Sequence, residues 1–455
     1  MKILYVTTLK RDMVKVWLCQ ETSFFGSLIP PVDLVSIATT LSQDGHLARV
    51  LDLRLYKKPL DVYKMFLKEF KPDALVLNLA TASAVYDYEI VKVTPREVKK
   101  IAFGSHAIAL PEEAFQNGFD YVLYGDPEKA LRDLVNNNLN AQGIDGISIP
   151  YNINRTPNLF EDLDSIPYLD LSMIELNRYS AVYVDRGRLF TAMLSSRGCP
   201  FRCTYCLNPT FFSRRYRTQS PERIAEELKF LNRRFGIEEV LFLDATFNIS
   251  ELQVIKFCEE LLKRNIKINW LCNMRVEPVN LEMLKLMKEA GCKRVMYGVE
   301  DVALLEDIKK DTTSQKIFDA FTNSRKAGLA ADAYVILFPD TKHLNEVSYA
   351  KYILNLLKQL NADAFQCNIA IPFPGTELFK SLSKEGSLKS DWALYDPGGK
   401  KMPYCSKLDL GKVKRIIFIR YPFMNLKNIL NLLKDIDLKS LKKMLKKYLE
   451  NLMQA

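Results

Sequence analysis

RLFTAMLSSRGCPFRCTYC, residues 188–206, joins an apolar run to three cysteines within nine residues, Cys199, Cys203 and Cys206. The apolar half reads as a strand, and Gly198 and Pro200 turn the chain into a loop that carries the thiols. An iron–sulfur cube needs a ligand on each iron, so three close thiolates would hold three irons and leave the fourth open. A structural zinc knuckle would instead use four protein ligands, with cysteine pairs in two halves, and no second pair exists here. The other six cysteines, Cys19, Cys258, Cys272, Cys292, Cys367 and Cys405, are isolated and read as small buried hydrophobes. A disulfide scaffold does not suit nine cysteines spread over 455 residues without a secretory signal.

Beyond the loop the chain alternates strand and helix patterns in countable units. The strand RLFTAMLSS is followed by EEVLFLDAT, KINWLCNMRVE, KRVMYGVE, DAYVILFP and DAFQCNIAIPFPGT, with amphipathic helical stretches between them. Six such units predict a partial (β/α)6 barrel of the TIM type, whose chemistry gathers at the carboxyl ends of its strands. Those ends carry the cysteine loop, Asp244, Arg275, Glu300 and the PFPGT turn of Pro372 to Thr376. Each alone could be an ordinary strand-end ion pair or turn, but together they outline one mouth.

Residues 1–138 alternate in the same way, with strands in KILYVTT, ARVLDLR, DALVLNLA, KKIAFGS and DYVLYGD. Strands alternating with helices predict an α/β unit, a doubly wound, Rossmann-like parallel sheet that binds ligands at its carboxyl edge. Thr81, Ser83, Gly104, Ser105 and Gly125 fall on that edge, where small and hydroxylated residues let a large ligand approach the backbone. Plain turn chemistry is the alternative reading of the same residues.

Residues 139–184, with Pro150, Pro157 and Pro167, read as a linker, residues 185–385 as the barrel, and 386–455 as a basic helical C-terminal region. The net charge is +10, and residues 401–455 hold 13 Lys and Arg against 4 Asp and Glu. Leu426, Ile429, Leu430, Leu433, Leu441, Met444, Leu445, Tyr448 and Leu452 stand at helical spacing opposite a lysine face. Such a helix either packs on the barrel or lies on an anionic membrane. No RNA-binding module accompanies the charge, so nucleic acid is not an expected partner. MKILYVTTL reads as a first strand, and no uncharged run approaches the roughly 20 residues of a membrane span. A cytoplasmic location, with peripheral membrane contact through the tail as an option, is expected.

On SSRGCPFRCTYC, GSHAIALPEEAF, DYVLYGDPEKAL, EVLFLDATF, MKEAGCKRVMYGVE and IPFPGTELF, the chain resembles the radical S-adenosylmethionine enzymes. Within them it resembles the class with an N-terminal cobalamin-binding domain, over residues 1 to about 385. The resemblance implies that Cys199, Cys203 and Cys206 hold a 4Fe-4S cluster whose open iron binds S-adenosylmethionine. It also implies that Tyr205, Asp244, Arg275 and Glu300 contact that cofactor. Thr81, Ser83, Gly104, Ser105 and Gly125 would line cobalamin.

The chain departs from the pattern in places. His46 and His106 do not stand in the DxHxxG motif that supplies an axial imidazole in some cobalamin proteins, Gly104-Ser105 replaces paired glycines, and LFPDT replaces a Gly-rich turn. A relic domain that only shapes the active site is the alternative to cobalamin binding.

The implied activity is methylation of an unactivated carbon in a small-molecule, lipid or natural-product substrate, with flavodoxin or ferredoxin as electron donor. Alternatives are oxidative cyclisation or rearrangement of a tetrapyrrole or related scaffold and, from another class, a non-catalytic iron–sulfur or electron-carrier protein. Methylthiolating relatives fit less well, because they carry further N-terminal cluster cysteines where this chain has Cys19 alone.

Overall fold

The computed structural model describes residues 1–424 apart from 12, 17, 18, 23–26, 182, 183, 185–187, 213 and 399–401. The amphipathic lysine-rich stretch expected at 426–452 lies outside the described residues.

Two six-stranded sheets make up the framework. The first contains Lys2–Val6 (β1), Leu47–Leu51 (β2), Ala74–Asn78 (β3), Lys99–Phe103 (β4), Tyr121–Leu123 (β5) and Ile147–Ser148 (β6). Its order is β2-β1-β3-β4-β5-β6, parallel except for the antiparallel edge β6. Along β1 the side chains alternate between two cores: Ile3 and Tyr5 pack with the helix Val32–Gln43 (α1), and Leu4 and Val6 with the opposite face. A period of two with both faces buried explains why KILYV is apolar throughout.

The second sheet contains Phe190–Met193 (β7), Glu239–Phe242 (β8), Asn269–Met274 (β9), Cys292–Gly298 (β10), Ala330–Leu337 (β11) and Ala364–Ile369 (β12). All six are parallel and neighbours in sequence are neighbours in space, so the sheet curls into the expected partial barrel. The intervening helices begin on Ser220, Ser250, Asn280, Thr313 and Asn345, whose side chains each accept a hydrogen bond from a backbone N–H of the first turn. The registration of the outer layer is thus written in short polar residues.

Sequence reasoning passed over the helix Ala84–Val93, the edge strand β6 and the hairpin Met13–Val16 with Cys19–Thr22. Among its described residues the stretch 139–184 has little regular structure beyond β6 and single 3-10 turns, yet it is tied down. Leu169 and Leu171 belong to the barrel core, and Asn158 forms a bridge with Gly125 at the end of β5. Past residue 386 the helix Leu410–Met424 buries Val413 and Ile417 in the barrel core, with Tyr421 4.4 Å from the Phe365 ring.

A buried ion network joins the two sheets. Arg197 donates to Asp126 Oδ1 at 2.8 Å and to Glu128 Oε1 at 2.7 Å, and Arg217 donates to Asp126 Oδ2 at 2.5 Å. Ser36 of α1 donates to Glu128 at 2.6 Å. Burial alone would raise the Asp126 pKa, but Arg197 and Arg217 outweigh it and hold the carboxyl below its usual range. A carboxyl depressed in the folded state stabilises the protein above the usual carboxylate range near pH 4, and that contribution is lost as pH falls through its folded value. Asp126→Ala should cost about 3–5 kcal/mol, since it strands buried guanidinium charge. It should also flatten the acid limb of stability. Denaturation midpoints measured from pH 7 down to pH 3 check both effects.

Candidate active site

The loop after β7 is pinned before it reaches any ligand. Ser195 Oγ donates to Asp244 Oδ1 at 2.9 Å, and Ser196 Oγ bonds the same oxygen, so Asp244 at the end of β8 fastens the strand from which the cysteines depart. Burial raises the Asp244 pKa, and the serine hydrogen bonds work against that rise. Further along, Thr204 N–H donates to the Ile308 carbonyl at 3.1 Å and Leu378 N–H to the Thr204 carbonyl at 3.0 Å. Thr210 Oγ1 donates to the Gly375 carbonyl at 2.8 Å, so the PFPGT turn braces this same loop.

Cys199, Cys203 and Cys206 then share one cavity of about 340 Å³ at the carboxyl end of the barrel. Tyr205, Asp244, Arg275 and Glu300 line it too, whereas the PFPGT turn of Pro372 to Thr376 does not and touches the site only by bracing the loop. Burial pushes the Cys206 thiol up to about 11 and raises Cys203 as well, with Lys310 and Arg275 pulling Cys203 back. Cys203 and Cys206, in surroundings that disfavour their free anions, suit ligation by cationic metal better than solution chemistry.

Glu300 has left-handed backbone, φ 58°, held by N–H bonds from Val299 and Glu300 to the Tyr334 carbonyl at 2.8 and 2.9 Å. That strained turn delivers its carboxylate to Lys310 Nζ at 2.6 Å and Tyr205 OH at 2.9 Å. Lys310 was not singled out from sequence, because a lysine in the run KKDTT ordinarily reads as solvated. Only its burial marks it. Arg275 stacks on Phe201, 3.6 Å from the ring centroid, and donates to the Lys310 and Asp311 carbonyls.

On the first sheet, Thr81, Ser83, Gly104, Ser105 and Gly125 all fall on the carboxyl side, each against protein neighbours. Thr81 Oγ1 is 3.2 Å from His106 Nδ1, and Ser83 Oγ donates to Asp87 at 2.6 Å. Side chains at Gly104 and Gly125 would collide with Asn78 and Leu79 and with Asn158, so protein, not open space, takes up the room the glycines leave. Trp392 lies edge-on to His106 at 5.0 Å and donates to Glu113 at 2.7 Å. His46 sits apart, bonded to Met1 and Asn136.

Residues 193–347 match the Radical SAM superfamily model. Over 416 residues the chain is 30% identical to an uncharacterized methyltransferase of Pyrococcus horikoshii, covering 87% of this chain and 88% of that protein. The chain belongs to the radical S-adenosylmethionine superfamily.

It is also 27% identical to the anaerobic magnesium-protoporphyrin IX monomethyl ester cyclase of Cereibacter sphaeroides, over 70% of this chain and 54% of that enzyme. Its fold is shared with the radical S-adenosylmethionine methyltransferase TsrM of Kitasatospora setae, a structure with cobalamin and a [4Fe-4S] cluster bound. That likeness has a TM-score of 0.66 at 17% identity and covers 86% of this chain and 79% of TsrM.

The residues present fit what the superfamily requires. Among the described atoms, Asn208 Oδ1 and Arg275 Nε are buried without a hydrogen-bond partner, and both residues line the cavity. One is an acceptor and the other a donor, which are what a zwitterionic amino-acid ligand asks for. A buried polar atom left unpaired is costly, so a ligand that satisfies both gains affinity by pairing them.

Gly298 gives a direct test. An added Cβ there would lie 2.7 Å from both Glu300 Oε1 and Lys310 Nζ, the flexible ends of the pair. Gly298→Ala should therefore leave folding and iron content intact while prising the pair apart. An affinity loss for S-adenosylmethionine of about tenfold, or ~1.4 kcal/mol, is expected by equilibrium binding.

Proposed function

We propose that this radical S-adenosylmethionine enzyme is a cobalamin-dependent methyltransferase acting on an unactivated carbon of a small-molecule, lipid or natural-product substrate. The observation that carries the reading is the near full-length identity to the Pyrococcus horikoshii methyltransferase. The fold shared with cobalamin-bearing TsrM supports the second cofactor.

In this reading Cys199, Cys203 and Cys206 ligate the cluster. Arg275 Nε and Lys310 offer N–H donors to the carboxylate of S-adenosylmethionine, while Glu300 and Asn208 Oδ1 offer acceptors to its amine and hydroxyl groups. Asp244, with its oxygens engaged by Ser195 and Ser196, acts by positioning the loop. Met274, Met296, Val335 and Ile336 add apolar wall that keeps water from the reacting atoms.

Cobalamin would rest along the edge marked by Thr81, Ser83, Gly104, Ser105 and Gly125. Both ring nitrogens of His106 are engaged, Nδ1 at Thr81 and Nε2 at Glu113, so His106 would help shape that edge through these contacts. When bound, the cluster supplies the electron that cleaves the sulfonium and cobalamin supplies the methyl group.

A flavodoxin- or ferredoxin-type protein as electron donor and a cytoplasmic setting belong to the same reading. No helix among the described residues is long and apolar enough to cross a membrane. Peripheral contact through the basic C-terminal stretch would appear as salt-sensitive pelleting with anionic liposomes.

Identity to the magnesium-protoporphyrin cyclase supports a second reading, oxidative ring formation on a tetrapyrrole. Two measurements separate the readings. Anaerobic incubation of the cobalamin-loaded protein with dithionite and methyl-labelled S-adenosylmethionine should give 5′-deoxyadenosine and label in methylcobalamin. Deoxyadenosine without labelled methylcobalamin would favour ring formation. Cys203→Ala should abolish deoxyadenosine formation altogether, by at least a hundredfold.

A further inference from the structure

The three cysteines have different neighbours. Asn208, first residue of the short helix Asn208–Phe211, directs its side-chain Nδ2 at Cys206 Sγ across 3.8 Å. Thr246 Oγ1 stands 3.9 Å from Cys199 Sγ, but its own proton goes to the Ala245 carbonyl at 2.7 Å. Cys203 has cations instead, Lys310 and Arg275. Asn208 is only 9% exposed, so its amide meets sulfur largely free of competition from water.

We propose that Asn208 is a positioning residue that sets the reduction potential of the cluster. Hydrogen bonds to the ligating sulfurs, together with solvent exposure, are what tune such a centre within a given cluster type and charge. Adding one electron makes the cluster and its thiolates more negative, and an N–H aimed at Cys206 Sγ stabilises that reduced state. The amide therefore holds the midpoint potential up. No bond forms or breaks in this step: the cluster gains one electron from an external one-electron reductant, and Asn208 keeps its protons. Thr246 contributes less, because its hydroxyl is already committed to the Ala245 carbonyl. Asn208 is the only one of the two whose removal should matter strongly.

The inference rests on the three cysteines being cluster ligands, and the test separates the two claims. Wild-type protein, Asn208→Leu and Thr246→Val are reconstituted anaerobically with iron and sulfide and assayed for iron. Each is then titrated with dithionite and mediators while the reduced cluster is followed by electron paramagnetic resonance. For Asn208→Leu the ratio of reduced to oxidised cluster at fixed potential should fall about tenfold, which is ~59 mV for a one-electron couple. Thr246→Val should move less than half as far.

The sign distinguishes tuning from loosening. A variant that merely admitted water would shift upward, because solvent also stabilises the more negative state. An unchanged or raised midpoint in an iron-replete Asn208→Leu protein overturns the proposal while leaving the cluster reading intact. Wild-type protein that binds no iron overturns both. If the leucine variant takes up no iron, Asn208→Ala repeats the measurement, and failure of both to load beside a loaded wild type assigns Asn208 to assembly and overturns the tuning role.

Discussion

The contact of Arg197 and Arg217 with Asp126 and Glu128 is the constraint on which the site depends. Asp126 and Glu128 stand at the start of the helix Pro127–Asn136, and Arg197 is two residues ahead of Cys199. The two arginines sit on the short antiparallel pair Ser196–Arg197 with Arg217–Thr218, which brackets the cysteine loop at both ends. A displacement of one sheet against the other is thereby a displacement of the cluster loop. Burying four charged groups is costly, and only their mutual hydrogen bonds make it tolerable.

Asp244 repeats the same logic on a smaller scale. Its carboxylate meets two serine hydroxyls and a backbone N–H, not a cation, so its burial raises its pKa where the arginines lower that of Asp126. The cavity therefore has a serine-bonded carboxyl group at β8 and, on the β9–β10 side, Arg275 and the Lys310–Glu300 pair.

Both sheets were legible because their signals are local. Period-two apolar runs and Ser, Thr or Asn caps lie within a few residues of the elements they specify, so each of the eleven expected strand runs overlaps a parallel strand, although RLFTAMLSS, EEVLFLDAT, KINWLCNMRVE, DYVLYGD and DAFQCNIAIPFPGT narrow to β7, β8, β9, β5 and β12. The barrel half of the site was legible for a related reason: in a parallel barrel the strand end is a fixed place, and Arg275 or Glu300 can be placed by counting. Lys310 and Asn208 were not, since their roles arise from contacts made after folding, Lys310 with a residue ten positions away across a turn and Asn208 through the direction of one amide. On the first sheet the sequence was less explicit. Glycine at a strand end signals close approach, but sequence does not say of what, and here Gly104 and Gly125 admit Asn78 and Asn158.

Trp392 and Asp396 lie late in the chain yet complete its earliest part: Trp392 closes on His106 and Glu113, and Asp396 receives Lys10 Nζ at 2.6 Å. During synthesis the N-terminal sheet emerges hundreds of residues before these partners exist. The stretch around Asn158 reaches the β5 end of its carboxyl edge first, and the part near His106 gains Trp392 only after the barrel has been made. Translation order thus makes the final closure of that edge one of the last events in folding the chain.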